Sequence, residues 1–320
     1  MQTHAKVSAR EMVLVDGRRQ IKSVRITADS SYLAALAFLS CAFLSGCINL
    51  GAVRSYADET KNLTAAFTPM LDGSVQSCKD RKSRIKLYTS VRAYDPKEVS
   101  RDVDALCDSI ADKNKHAAVI AKTLTDYASV LAQLAGDSVP TTLDSSEDKL
   151  KTALGNVKDN GGKPLVADAK LSAVFALAKF ISEQVTNYFR AKEIKVALNH
   201  HEAVEALGKA LATYVKSNFM GYVGDEQRDL LAIKESVANR EKTEYLAARY
   251  IQRELWVVQG QLDAKAKSAA QFEVAVTKMI ASHKDLIDNV DKIGDKERFK
   301  AIFAFAKEVR SLNDQLKKAF

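Results

Sequence analysis

The side chains most able to do chemistry are few. His200 and His201 are adjacent, Glu202 and Glu205 follow, and His201 shares a helical face with Glu205 at a spacing of four. Such a group could supply two metal ligands, or a base with its orienting carboxylate. A zinc site, however, needs a third ligand, and the spacing here is not H-E-x-x-H. The expected role of these histidines is therefore an ordinary one at a solvated helix start. His283 falls on an apolar stripe, which points to a hydrogen-bonded core or edge residue, and His116 has no evident partner in the sequence. The chain contains no G-x-S-x-G elbow, phosphate-binding loop, G-x-G-x-x-G fingerprint, C-x-x-C or E-x-x-H pair. Hydrolytic, nucleotide, redox and di-iron chemistry thus lack their usual carriers; no cofactor, metal or enzymatic activity is expected.

Whatever these residues do, long helices must position them. The 320 residues include 4 Pro and 13 Gly, too little punctuation for sheets and their turns. Apolar residues recur at threes and fours from Val53 through Leu63, Phe67 and Met70, with Pro69 expected to kink or restart the helix. Asp95 as N-cap, Pro96 at the first helical position and Glu98 mark the sharpest helix start. Leu124, Tyr127, Leu131 and Leu134 continue that helix until Gly136 to Thr142 stops it, which places the first subdomain boundary at 140. A short charged helix over about 145–158 and the loop Asn160-Gly161-Gly162-Lys163-Pro164 come next. Leu171, Val174, Ala178, Ile181, Val185 and Tyr188 then form a seam. Asn199 with Glu202 resembles a capping pair opening a helix that Met220 to Gly224 ends. From Asp225 to Asp291 Gly260 alone interrupts the pattern, and a last amphipathic helix follows Gly294-Asp295. The fold class is all-α, an elongated bundle of long antiparallel helices, with regions 47–140 and 141–320 able to form one domain.

Charge narrows the partners. The formal net charge is +8, but residues 1–46 carry six basic side chains against three acidic ones. The remainder holds 42 basic against 37 acidic, or +5, and both signs are interspersed as on a solvated helical surface, so nucleic acid is not an expected partner. One local cluster stands out: Lys79, Arg81, Lys82, Arg84 and Lys86 surround a single acid, Asp80. It could contact anionic headgroups or cell-wall polymers, the alternative being a solvated helix face.

The segment from Tyr32 to Leu44 is uncharged and is preceded by Arg18, Arg19, Lys22 and Arg25, the layout of an export signal. Thirteen residues span roughly 20 Å as a helix, short of the roughly 30 Å of a bilayer core. Directly after it, Leu44-Ser45-Gly46-Cys47 resembles the lipobox of bacterial lipoproteins. That resemblance implies cleavage between Gly46 and Cys47, fatty acylation of Cys47 with chains such as palmitate, and membrane anchoring through several of them. Ile48 rather than Asp after the cysteine implies the outer membrane, facing the periplasm. Met12 would give a signal of more usual length. Across 48–320 no specific family is resembled.

With Cys41 lost in the leader and Cys47 lipidated, Cys78 and Cys107 remain. In an oxidising periplasm two such thiols are expected to pair, closing a loop whose entropy contributes roughly 3 to 4 kcal/mol. The expected function is a lipid-anchored, non-enzymatic envelope scaffold or adaptor binding a protein or cell-wall partner. Two alternatives stay open: a periplasmic ligand-binding or enzymatic bundle with a pocket around His200, His201 and Glu205, and a membrane-shaping or self-assembling helical dimer.

Overall fold

A computed structural model describes residues 50–89, 95–136, 143, 145–184, 193–289 and 299–320. The chain divides into two units, and every described element belongs to the second, Cys47–Phe320. Those elements are α1 (Leu50–Ala65), α2 (Thr68–Thr89), α3 (Pro96–Leu134), α4 (Glu147–Asn156), α5 (Asp168–Gln184), α6 (Glu193–Leu198), α7 (His201–Tyr214), a π-helical turn (Val215–Phe219), α8 (Met220–Arg240), α9 (Tyr245–Asn289) and α10 (Phe299–Ala319). Among the described residues there is no β-strand; a lone bridge joins Lys158 and Pro164. None of these helices is long and apolar enough to cross a membrane.

The helix starts follow local chemistry. Asp95 caps α3 by accepting from the Lys97 amide at 2.9 Å, and Pro96 occupies the position where a missing N–H costs nothing. Ser146 caps α4 by accepting from the Lys149 amide at 3.3 Å. Pro69 restarts the helix after a turn at Ala66 and Phe67 instead of bending it. The expected Asn199–Glu202 cap is not formed: α7 starts after His200 with no side-chain cap, and Glu202 pairs with Lys170 at 2.7 Å.

Two expected breaks also differ. The helix does not end at Met220–Gly224; it runs on through the π-helical turn into α8. The break falls at residues 241–244, which hold neither Gly nor Pro. There the Thr243 amide and hydroxyl both donate to Arg240 O, at 3.0 and 3.1 Å, while Arg249 reaches back to Glu241 at 2.6 Å. Gly260 lies inside α9, a helix of 45 residues and roughly 67 Å. The stretches at 137–142, 185–192 and 290–298, including Val185, Tyr188, Gly294 and Asp295, lie outside the described residues.

The pairs α1–α3 and α9–α10 run antiparallel, as cross-links show by descending on one helix while climbing on the other. Arg54 reaches Ala135 O and Thr64 meets Thr125 between α1 and α3; Gln271 meets Glu308 and Ser282 meets Ala301 O between α9 and α10. One apolar cluster runs from Ala52 to Leu316 and takes residues from both sides of 140. Its aromatic centre sets Phe67 against Tyr214 and Phe272, with ring centroids 5.9 and 5.7 Å apart. Gly208 lets α7 and α9 approach closely, since a Cβ there would lie 2.9 Å from Met279 Cε.

Candidate functional site

Within that core sits a chain of polar groups. α9 places His283 at full burial, and its Nε2 lies 2.5 Å from the Tyr127 hydroxyl of α3. Tyr127 donates to Ala197 O at 3.1 Å. Its one proton being spent there, it accepts from His283 Nε2–H. His283 Nδ1 is then the acceptor, at 3.0 Å, for Nδ1–H of His201, the first residue of α7. The two imidazoles stack with centroids 5.2 Å apart, and Tyr56 of α1 meets His283 edge-on at 5.4 Å. Burial, reinforced by His201 and His200, pushes the His283 pKa down to about 3, so the ring is neutral in the fold. Burial likewise raises Tyr56 and Tyr127. Among the described residues the Tyr56 hydroxyl has no hydrogen-bond partner.

This arrangement corrects one expectation and agrees with another. His201 is not simply a solvated helix-start residue: its ring turns inward to His283, 82 residues away in sequence. His200 packs on Phe180 at 4.9 Å, and burial lowers its pKa. His283, read from its stripe as a hydrogen-bonded core or edge residue, lies in the core. The sequence signal for the missing partner was Tyr127, another polar tip on an apolar stripe. Glu205 pairs with Lys209 at 2.6 Å instead of joining the histidines, and among the described residues no group of three His, Cys, Asp or Glu could hold a metal ion. A neutral His283 imidazole held at one ring nitrogen by Tyr127 and at the other by His201 orders the core.

A second cluster lies where α2 meets α3, α8 and α9. Cys78 and Cys107 form a disulfide between α2 and α3, with Cα atoms 6.1 Å apart. Around it the basic run is dealt to two sides. Lys79 pairs with Asp104 at 2.6 Å and Lys86 with Asp102, both on α3; Arg81 pairs with Asp225 at 2.7 Å and Asp229 at 2.5 Å, and Arg84 with Glu226, all on α8. Lys82 has no ion-pair partner among the described residues. The hydrogen bond to Asp229 raises the Arg81 pKa, whereas burial lowers those of Arg84 and Lys265. The pairing was hidden in the sequence because Arg81 and Arg84 find their acids more than 140 residues away.

Beside this clasp a cleft of about 270 Å³ is lined by Asp80, Ser83, Arg84, Glu226, Gln261 and Lys265. Lys265 is buried, donates to Ser77 Oγ at 3.0 Å and lies 3.8 Å from Glu226 Oε2. Two cations thus face two anions, and the charges are matched inside the protein. Gly46 and Cys47 lie outside the described residues. No protein-family model matches the chain, and neither a curated protein nor a solved structure matches it.

Proposed function

We propose that the chain is a lipid-anchored cell-envelope protein acting as a non-enzymatic helical scaffold or adaptor for a protein or cell-wall partner. The observation that carries this is Leu44-Ser45-Gly46-Cys47 at the downstream edge of a basic and then apolar leader. One structural observation is in keeping with it. His201 hydrogen-bonds His283, which also meets Tyr127, His200 packs on Phe180 and Glu205 pairs with Lys209, so the candidate residues do not converge on one another. Acylation would hold Cys47 in the outer membrane with the helical body in the periplasm, where a Cys78–Cys107 bridge is stable.

Metabolic labelling with an alkyne fatty acid tests the proposal. Label should enter the wild-type chain and be lost in Cys47→Ser, and intact mass should place an acylated cysteine at the mature N-terminus. An unlabelled chain that keeps its full leader in the cytosol would refute it.

A further inference from the structure

The first third of α9 carries two faces of unequal fate. Its inner face sets Ala248, Leu255 and Leu262 in the core cluster, with half-buried Ile251 and Val258 packed against it. The outer face repeats at four, three, four, three and four through Leu246, Tyr250, Arg253, Val257, Gly260 and Ala264, the spacing of a second helix-packing seam. That seam is open: Leu246 is 81% exposed, Tyr250 65% and Val257 56%, while Trp256 on its flank is 78% exposed. Nothing lies within 4 Å of where a Cβ at Gly260 would stand. An apolar and aromatic patch of this kind marks a binding surface.

We propose that this face pairs antiparallel with the same face of a second copy of the chain. The argument is the order of sizes along it. Bulky residues, Leu246 and Tyr250, stand at one end and small ones, Gly260 and Ala264, at the other. Laid head to tail about Arg253, the two copies set Leu246 over the open space at Gly260 and Tyr250 against Val257 and Trp256. The two-fold then gathers Arg253 and Glu254 of both copies at the centre, two cations with two anions and no net charge; neither residue has an ion-pair partner among the described residues. Every contact occurs twice, as a two-fold interface requires. A parallel pairing would stack Leu246 on Leu246 and leave Gly260 facing Gly260 across a void. The Tyr and Trp side chains supply large contact area at small entropic cost, as interface anchors do. This pairing is independent of the fate of Cys47.

Thiol cross-linking of the full chain, in membranes and after purification, reads the geometry directly. Arg253→Cys should give a covalent dimer under mild oxidation. Leu246→Cys should not, because the two copies of that position would lie roughly 21 Å apart along the axis. Adding Tyr250→Glu to Arg253→Cys should cut the dimer at least tenfold while circular dichroism stays that of the parent. The absence of a dimer from Arg253→Cys would overturn the proposal. So would equal cross-linking from Leu246→Cys, or from Phe303→Cys at an unrelated exposed site. A strictly monomeric chain that binds anionic vesicles through Trp256 would assign the face to a membrane instead and would also overturn it.

Discussion

Helices α3 and α9 each pass through two environments. In the first half of α3, residues 96–114, the buried positions are Val103, Cys107, Ile110 and Asn114, a single seam; in the second half, Ala117, Ile120, Ala121, Leu124, Tyr127, Ala128, Val130 and Leu131 wrap most of the helix in apolar contact. The same contrast divides α9, where 245–261 buries Ala248 and Leu255 whereas 262–286 buries residues on every turn. Hydrophobic stabilisation scales with apolar area removed from water, at roughly 25 cal/mol per Å², so a single seam holds far less than a wrapped helix. The thin half of α3 is where the disulfide and the Lys79 and Lys86 pairs sit, whereas the Arg81 and Arg84 pairs join α2 to α8. On α3 the cross-link and its charge pairs are placed where burial is scarce.

That contrast can be broken from either side. The largest effect should come from the wrapped half: Phe272→Ala removes a fully buried ring against Phe67 and should cost roughly 4 kcal/mol in urea or thermal unfolding, with all helices melting together. Removing the disulfide with Cys78→Ala and Cys107→Ala should cost about 3.5 kcal/mol by the entropy of a loop with a sequence separation of 29. Its signature is local: hydrogen exchange should accelerate over 98–112 and change little over 120–134. Uniform acceleration would show that the two halves are one cooperative unit. Third, Glu226→Leu should cost about 3 kcal/mol by stranding Arg84 and Lys265, and adding Arg84→Met should restore most of it. If the double variant is no more stable than the single one, the pair is not what holds α2 to α8.

The smallest effect per increment belongs to His283. Its folded pKa, about 3, lies below the ordinary 6.5, so the unfolded chain binds the extra proton between these values. The stability of the neutral ring is fully present above pH 6.5 and is lost as pH falls toward 3, at up to about 1.4 kcal/mol per pH unit. His283→Gln should flatten that slope; an unchanged acid limb would show that His283 is not the group responsible.

Much of this was legible in the residues themselves. The all-α class and the Asp95-Pro96 start follow from periodicity and capping chemistry, both local signals, and the Cys78–Cys107 pair was expected once the lipobox resemblance had set Cys41 and Cys47 aside and implied an oxidising compartment. What stayed hidden depends on distant partners. The turn at 241–244 has no Gly or Pro and is made by Thr243 and Arg249 reaching back along the chain, so nothing in its composition marks it. The inward turn of His201 and the division of the basic run between two helices needed the positions of His283, Asp225 and Glu226. The π-helical turn did leave a trace: the buried series Val204, Leu211 and Asn218 is taken over one residue later by Phe219, Glu226 and Ile233, each series at intervals of seven.

That one-residue slip sets the phase of everything beyond it. Deleting a single residue between Val215 and Phe219 would let an unbroken α-helix form, and it would rotate α8 by about 100° relative to α7. Glu226 would swing away from Arg84, and Leu230 would leave its buried seam. The widened turn behaves as a fixed angular offset between two meshing surfaces, so a shorter chain with better local hydrogen bonding should be the less stable protein.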